Sequence, residues 1–178
     1  NISIYCGHTN FDKAQNGVSM KMCEKLGLKN CTVIDAEKHL LRKIAVYVPE
    51  SHAEQVRKAM FSAGAGTIGD YDECSFNVNG TGTFRAGENC NPFVGEIGKQ
   101  HHEAEVRIEV ICPSYLQAKV VSAMLKVHPY EEPAFDIYQI ENQWEQVGLG
   151  AIGELAEEIT EDELLETVKQ TFKVGNIR

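Results

Sequence analysis

The stretch from Lys43 to Ile140 constrains this chain most, because its apolar periodicity alternates between strand-like and helix-like in a fixed order. Lys43-Ile44-Ala45-Val46-Tyr47-Val48 reads as a strand closed by Pro49. Ser51 with Glu54 three residues later has the spacing of a capping box, and Val56, Met60 and Phe61 supply the apolar face of the helix behind it. That helix runs out between Gly64 and Gly69. Residues 70–99 hold Gly80, Gly82, Gly87, Gly95 and Gly98 among two short β-like runs, Ser75 to Val78 and Pro92 to Val94, which predicts a long hairpin with loops. From Ala104 to Ile111 the residues alternate: Val106, Ile108 and Val110 on one face, Glu105, Arg107 and Glu109 on the other. After Pro113, the span Tyr115 to Val127 sets Leu116, Val120, Ala123, Met124 and Val127 at helical spacing. His128-Pro129 stops it, and Ala134 to Ile140 is a last strand. The order β-α-β(β)-β-α-β is the split βαβ, ferredoxin-like plan, in which two helices cover one face of an antiparallel sheet.

The flanks read differently. Asn1 to Cys6 alternate like a half-buried strand, Gly7 to Asp12 form a polar turn, and Val18, Met22 and Leu26 mark a helix with Gly27 as its stop. Residues 28–42 are a mixed bridge. Beyond Trp144, the glycines Gly148, Gly150 and Gly153 predict a turn. Thr160 then caps a helix with Glu161, Asp162 and Glu163 in its first turn, where the helix dipole favours acids. The helix runs to about Phe172, and Val174 to Arg178 begins a strand. Each flank offers about one βα unit, too little to bury a core alone. The expected organisation is an α/β outer domain, incomplete here, made of residues 1–42 and 141–178 around an inserted α+β domain of residues 43–140. A chain that opens on Asn1 with a strand-like run reads as a segment of a longer protein.

Charge and cysteine usage narrow the partners. The net charge is −9, and no cluster of Lys and Arg stands out, so nucleic-acid binding, which draws on phosphate neutralisation, is not expected. No apolar run approaches the roughly 20 residues of a membrane-spanning helix, and no basic n-region followed by an apolar h-region appears, so a secretory signal is not expected. The cysteines at 6, 23, 31, 74, 90 and 112 contain no C-x-x-C, and in a core-bearing chain they read as reduced thiols of a cytoplasmic protein.

Several motifs converge on one resemblance. His8-Thr9-Asn10-Phe11-Asp12 after a strand-like run resembles the H-T-N-x-D motif of the NGG-interacting-factor-three-like family, whose bacterial members are called GTP cyclohydrolase 1 type 2 homologs. Gly17-Val18 and Leu26-Gly27-Leu28 fit the family's helix after that motif. Gly80-Thr81-Gly82-Thr83-Phe84-Arg85 with Asn91-Pro92-Phe93-Val94-Gly95 resembles the inserted domain of the longer bacterial members. So does His128-Pro129-Tyr130-Glu131-Glu132-Pro133, whose H-P-Y-E core is similar to that of CutA-type, PII-like trimer proteins. Gly148 to Gly153 resembles the return into the outer fold. The resemblance implies a homohexamer with trimer contacts through the insert, and two divalent metal ions per subunit in the full-length protein, of which Zn, Mn, Fe or Mg would suit carboxylate and imidazole ligands. It implies a small-molecule or nucleotide ligand. Of the family's metal ligands only the central Asp has a match, Asp12. The others would lie before Asn1 and after Arg178, and the pair His101-His102 belongs to the insert instead.

Each candidate has a plainer alternative. Asp12 as a metal ligand exploits two carboxylate oxygens that can span two cations and activate a bridging water; the alternative is an Asp closing a turn. His8 and Asn10 would orient a ligand or substrate from beside it, or be satisfied locally. His128, Tyr130 and Glu131, with Glu132, would line a ligand or metal pocket. In the alternative, His128 stabilises a helix C-terminus, prolines bracket a stiff turn and the acids are solvated. No catalytic residue is assigned. The glycines lack a phosphate-loop pattern. The two function classes are a metal-dependent hydrolase acting on a nucleotide, inactive as this segment alone, and a PII-like ligand-sensing or oligomerisation module without catalysis.

Overall fold

The computed structural model describes residues 2–177. In chain order the elements are α1 (Thr9–Asp12), α2 (Val18–Lys25), β1 (Lys29–Ala36), β2 (Leu41–Pro49), α3 (Ala53–Ser62), β3 (Phe76–Arg85), β4 (Gln100–Pro113), α4 (Gln117–Val127), β5 (Phe135–Gln139), β6 (Gly148–Glu154) and α5 (Glu161–Phe172). They divide into two compact units: His39–Asn142, and the segments up to Lys38 and from Gln143 onward.

The His39–Asn142 unit is a four-stranded antiparallel sheet in the order β3-β4-β2-β5. This is the ferredoxin-like order. One sheet face carries Ile44, Val46 and Val48 of β2 and Val106, Ile108 and Val110 of β4, which pack with Val56 and Met60 of α3 and Val120 and Met124 of α4. Burying each such side chain contributes about 1.5–3 kcal/mol. The other face carries Lys43 and Tyr47 beside Glu105, Arg107 and Glu109, and no helix of this unit lies on it. There Glu109 is bridged by Lys43 at 2.9 Å and Arg107 at 2.8 Å. The chain enters and leaves this unit on paired strands, Arg42 lying opposite Gln139.

In the other unit β1 and β6 form a two-stranded antiparallel sheet, with Ala36 opposite Gly148. Helix α2 ends in a Schellman turn: Gly27, at φ +71°, donates to Glu24, and Leu28 donates to Cys23 at 3.0 Å. Helix α5 opens with the reciprocal Thr160–Glu163 capping box.

Several expectations are corrected. Residues 2–6 form no strand; Ile2 and Ile4 are over 90% exposed, and no described strand pairs with them, so their backbone groups are left to water. Asn1 lies outside the described residues. The mixed bridge contains β1, hidden because its apolar residues fall on both faces. The Ser51–Glu54 capping box is absent: a 3-10 turn over Glu50–His52 leads into α3, Ser51 pairs with the His52 ring, and Glu54 is drawn to Arg57 and Lys58. Pro92 to Val94 is loop, not strand. The Gly148–Gly153 segment is strand β6 rather than a turn; its glycines mark close approach, since a Cβ on Gly148 would overlap the Asp35 carbonyl. Val174 to Ile177 form no strand, and Arg178 lies outside the described residues.

Candidate functional site

The His8–Asp12 segment is a single helical turn stitched by its own side chains. The His8 amide donates to Asn10 Oδ1 at 2.8 Å, and the Asn10 side-chain amide donates to the Tyr5 hydroxyl at 2.8 Å. Behind the turn, Lys13 pairs with Glu37 at 2.6 Å, and Gly148 donates its amide to the Lys13 carbonyl at 3.1 Å. This ties the turn to both strands of its sheet. Gly17 lies against the back of the turn, where a Cβ would sit 2.5 Å from the Phe11 carbonyl oxygen and 3.1 Å from that of Asp12. The Asp12 side chain is half-exposed, while His8 and Asn10 are exposed. Asn10 therefore has a structural task, bracing the turn that carries Asp12.

Whether this segment holds a metal by itself is a question of donors. Among the described residues no group of three or more His, Cys, Asp or Glu side chains is gathered as metal ligands. Asp12 is one carboxylate, and one carboxylate does not complete the coordination of two divalent ions. The residues present do not fit a whole dinuclear centre.

The second candidate lies in the His39–Asn142 unit. His128 follows α4 and is buried. Its Nε2 faces the Tyr47 carbonyl at 3.0 Å and its Nδ1 faces the Tyr130 amide at 3.1 Å. A carbonyl only accepts and an amide N–H only donates, so the ring is the neutral Nε2–H tautomer. Burial pushes its pKa below the ordinary histidine value. His128 is thus no charged partner of the helix dipole, as one sequence alternative had it; it is a neutral bracket between β2 and the loop after α4.

Tyr130 donates its hydroxyl to Glu105 Oε1 at 2.8 Å. Burial first, then that hydrogen bond, push the phenol far above the usual tyrosine range. Its ring packs near Phe84, Phe93 and His128, at centroid distances of 5.9, 6.4 and 5.2 Å. Glu131 accepts from the Asn91 amide at 3.1 Å, and Glu132 is exposed. His128 and Tyr130 therefore spend their polar atoms on the protein itself, and with Glu131 they pin the 86–99 loop. Glu105, Phe84 and Phe93 escape sequence reasoning, although one signal was available. Gly82 stands on β3 beside this carboxylate, and a Cβ there would overlap the Glu105 side chain.

The sequence profile of the Duf34/NIF3 (NGG1p interacting factor 3) family matches residues 1–178. Curated relatives named GTP cyclohydrolase 1 type 2 homolog are 45% identical over 178 residues in Halalkalibacterium halodurans and 41% identical in Bacillus subtilis; each match covers 99% of this chain and 48% of the relative. The chain thus spans about half the length of the curated relatives it matches. Among solved structures, a Bacillus cereus protein related to NIF3 superposes with a TM-score of 0.82 at 45% identity, over 95% of this chain and 44% of that one.

Proposed function

Since the chain belongs to the Duf34/NIF3 family, we propose that it is the part of a dinuclear-metal protein that would contribute one ligating carboxylate, Asp12, together with an inserted oligomerisation unit. What carries this reading is the His8–Asp12 turn, braced on Tyr5 and Gly17 and tied through Lys13 to β1 and β6. In the full-length protein the remaining ligands come from sequence outside this segment, and two divalent ions (Zn, Mn, Fe or Mg) bind per subunit. When bound, such ions supply a nucleophilic water at neutral pH. Asp12 holds the ions, while His8 and Asn10 fix the turn and its approach. The name of the relatives suggests a nucleotide as substrate, and the segment alone is inactive.

The test uses the full-length protein. Asp12→Ala is expected to abolish a stoichiometry of two metal ions per subunit, read by elemental analysis. Unchanged metal content would sink the assignment, as would two tightly bound ions on this segment alone. Metal-loaded full-length protein that leaves GTP intact would remove the nucleotide hydrolase from the reading and keep the metal site.

The second reading, a ligand-sensing and assembly module, is favoured by the helix-free face of the four-stranded sheet. Phe76 and Val78 of β3 lie exposed there beside the Lys43–Glu109–Arg107 network. A second and third copy covering this face would give the trimer contacts of a homohexamer. Val78→Asp is then expected to lower the mass measured by light scattering, and an unchanged assembly would exclude this face. No helix among the described residues is long and apolar enough to cross a membrane. The six cysteines are free thiols, which supports the reading of a reducing, cytoplasmic setting.

A further inference from the structure

His128 and Tyr130 spend their polar atoms on the protein itself; the side chains around one cavity of the other unit do not. This cavity lies wholly within the unit that carries Asp12 and has a volume of about 650 Å³, inside the range of roughly 300–1,000 Å³ typical of small-molecule sites. Its rim comes from two turns. After Asp12 the chain closes a turn in which Gly17 donates to the Ala14 carbonyl at 2.7 Å and Asn16 stands at φ +58°, in the left-handed region that asparagine tolerates. Gln15 and Asn16 of this turn line the cavity. Before β6, Val147 donates to the Trp144 carbonyl at 3.1 Å, and Gln143, Glu145 and Gln146 around this second turn line the same opening. Gln15 Nε2 donates to Gln146 Oε1 at 2.6 Å and joins the two turns. That bond leaves the Gln15 carbonyl oxygen as an acceptor and the Gln146 amide as a donor. Asn16, Gln143 and Glu145 make no side-chain hydrogen bond to another described residue. Met20 of α2 and Ile34 of β1, the latter 66% exposed, add an apolar wall.

The lining selects by chemistry. Among the described residues no Lys, Arg or His lines the cavity, and its one charge is the Glu145 carboxylate, so a phosphate is repelled rather than held. Four carboxamides offer donors and acceptors to a neutral ligand with an amide-like edge, and the apolar wall suits the flat face of a ring. A carboxylate, with two acceptor oxygens, matches an edge that presents two parallel N–H groups. We propose that this cavity binds a nucleoside by its base, Glu145 accepting from the ring N–H and the adjacent amine of a guanine while the carboxamides read the carbonyl beside them. Any phosphate stays outside the cavity. The proposal rests on the nucleotide reading above only for the fate of the bound base. Binding here needs no metal, since Asp12 is not among the residues that line the cavity.

The test is calorimetric titration of the full-length protein, metal-loaded and metal-stripped, with guanosine, inosine and xanthosine. Guanosine is expected to bind once per subunit in both forms. Inosine lacks the amine and should bind at least about tenfold more weakly, the worth of a hydrogen bond to a charged group. Glu145→Gln replaces one acceptor by a donor. It should therefore erase the preference for guanosine and favour xanthosine, which carries a carbonyl in place of the amine; a merely structural role would not reverse the preference. Gln146→Leu should weaken all three. Both side chains are exposed, and both variants should keep the metal content of the parent. Asp12→Ala should do the opposite, losing metal and keeping guanosine, so the metal reading and this one fail separately. The proposal is overturned if guanosine does not bind at millimolar concentration, as when sequence outside this chain fills the cavity. It is overturned equally if the unaltered protein binds guanosine and inosine alike, or if Glu145→Gln leaves the preference unchanged.

Discussion

His128 and Tyr47, 81 residues apart, are joined by one hydrogen bond of 3.0 Å from the imidazole Nε2 to the backbone carbonyl. With the Tyr130 amide held on Nδ1, this makes a histidine the fastener between a central strand and the loop behind α4. His128→Phe leaves a carbonyl and an amide without partners, and a loss of about 2–4 kcal/mol is expected in urea unfolding.

The same ring sets an acid limit. Its folded pKa lies below the unfolded value of about 6.5, so the unfolded chain takes up the proton first. The stability due to neutral His128 is complete above that value. It falls as the pH drops through it towards the folded pKa, by at most about 1.4 kcal/mol per pH unit. His128→Phe should flatten this part of a stability–pH curve; a curve unchanged by the substitution would show that other groups set it.

Tyr130 and Glu105 give an alkaline counterpart. The Tyr130 phenol is pushed upward by burial and by its bond to Glu105. Its contribution is present below the unfolded tyrosine value of about 10 and is lost as the pH climbs towards the folded one. Ultraviolet titration should show a late-ionising tyrosine that disappears in Tyr130→Phe. Gly82→Ala, which pushes the Glu105 carboxylate aside, should move that late component to lower pH.

Gly17 has a backbone conformation open to any residue, φ −67°, yet no room for a side chain. Gly17→Ala should therefore cost about 1–3 kcal/mol by overpacking against the Asp12 turn. In the full-length protein it should weaken metal retention without altering any ligand. Metal content and thermal unfolding, measured on one preparation, separate the two effects.

Helix α5 ends on Lys173 in the left-handed region, φ +53°, where glycine carries no Cβ penalty. Lys173→Gly is expected to stabilise the helix by up to about 1 kcal/mol, read as a higher midpoint in thermal unfolding.

The His39–Asn142 unit was readable because its strands have one clean apolar face each. The alternation of Val106, Ile108 and Val110, and the helical spacing of Val120 and Met124, are the contacts that make its core. Strand β1 was not readable, since Cys31 to Ala36 distribute apolar residues over both faces and its partner strand, with Gly148, Gly150 and Gly153, lies on the far side of the inserted unit. Sequence motifs drew attention to His8–Asp12 and to His128–Glu131, but not to what their side chains touch. The tautomer of His128 is set by Tyr47, and the state of Tyr130 by Glu105. Both partners sit on distant strands, and no local pattern encodes them.

One pairing has an architectural consequence. Strand β1 ends at Ala36 opposite the first residue of β6, Gly148, and Glu37 adds a further link, its amide donating to the Val147 carbonyl at 2.8 Å. The second unit likewise begins and ends on neighbouring strands, with Arg42 facing Gln139. β1 and β6 are thus the two arms of a hairpin whose tip has been replaced by an entire domain. Such a domain is a cassette: a short tight turn between Glu37 and Val147 would close the hairpin without it, and the cassette could be gained, exchanged or lost in evolution without rerouting the strands that hold it.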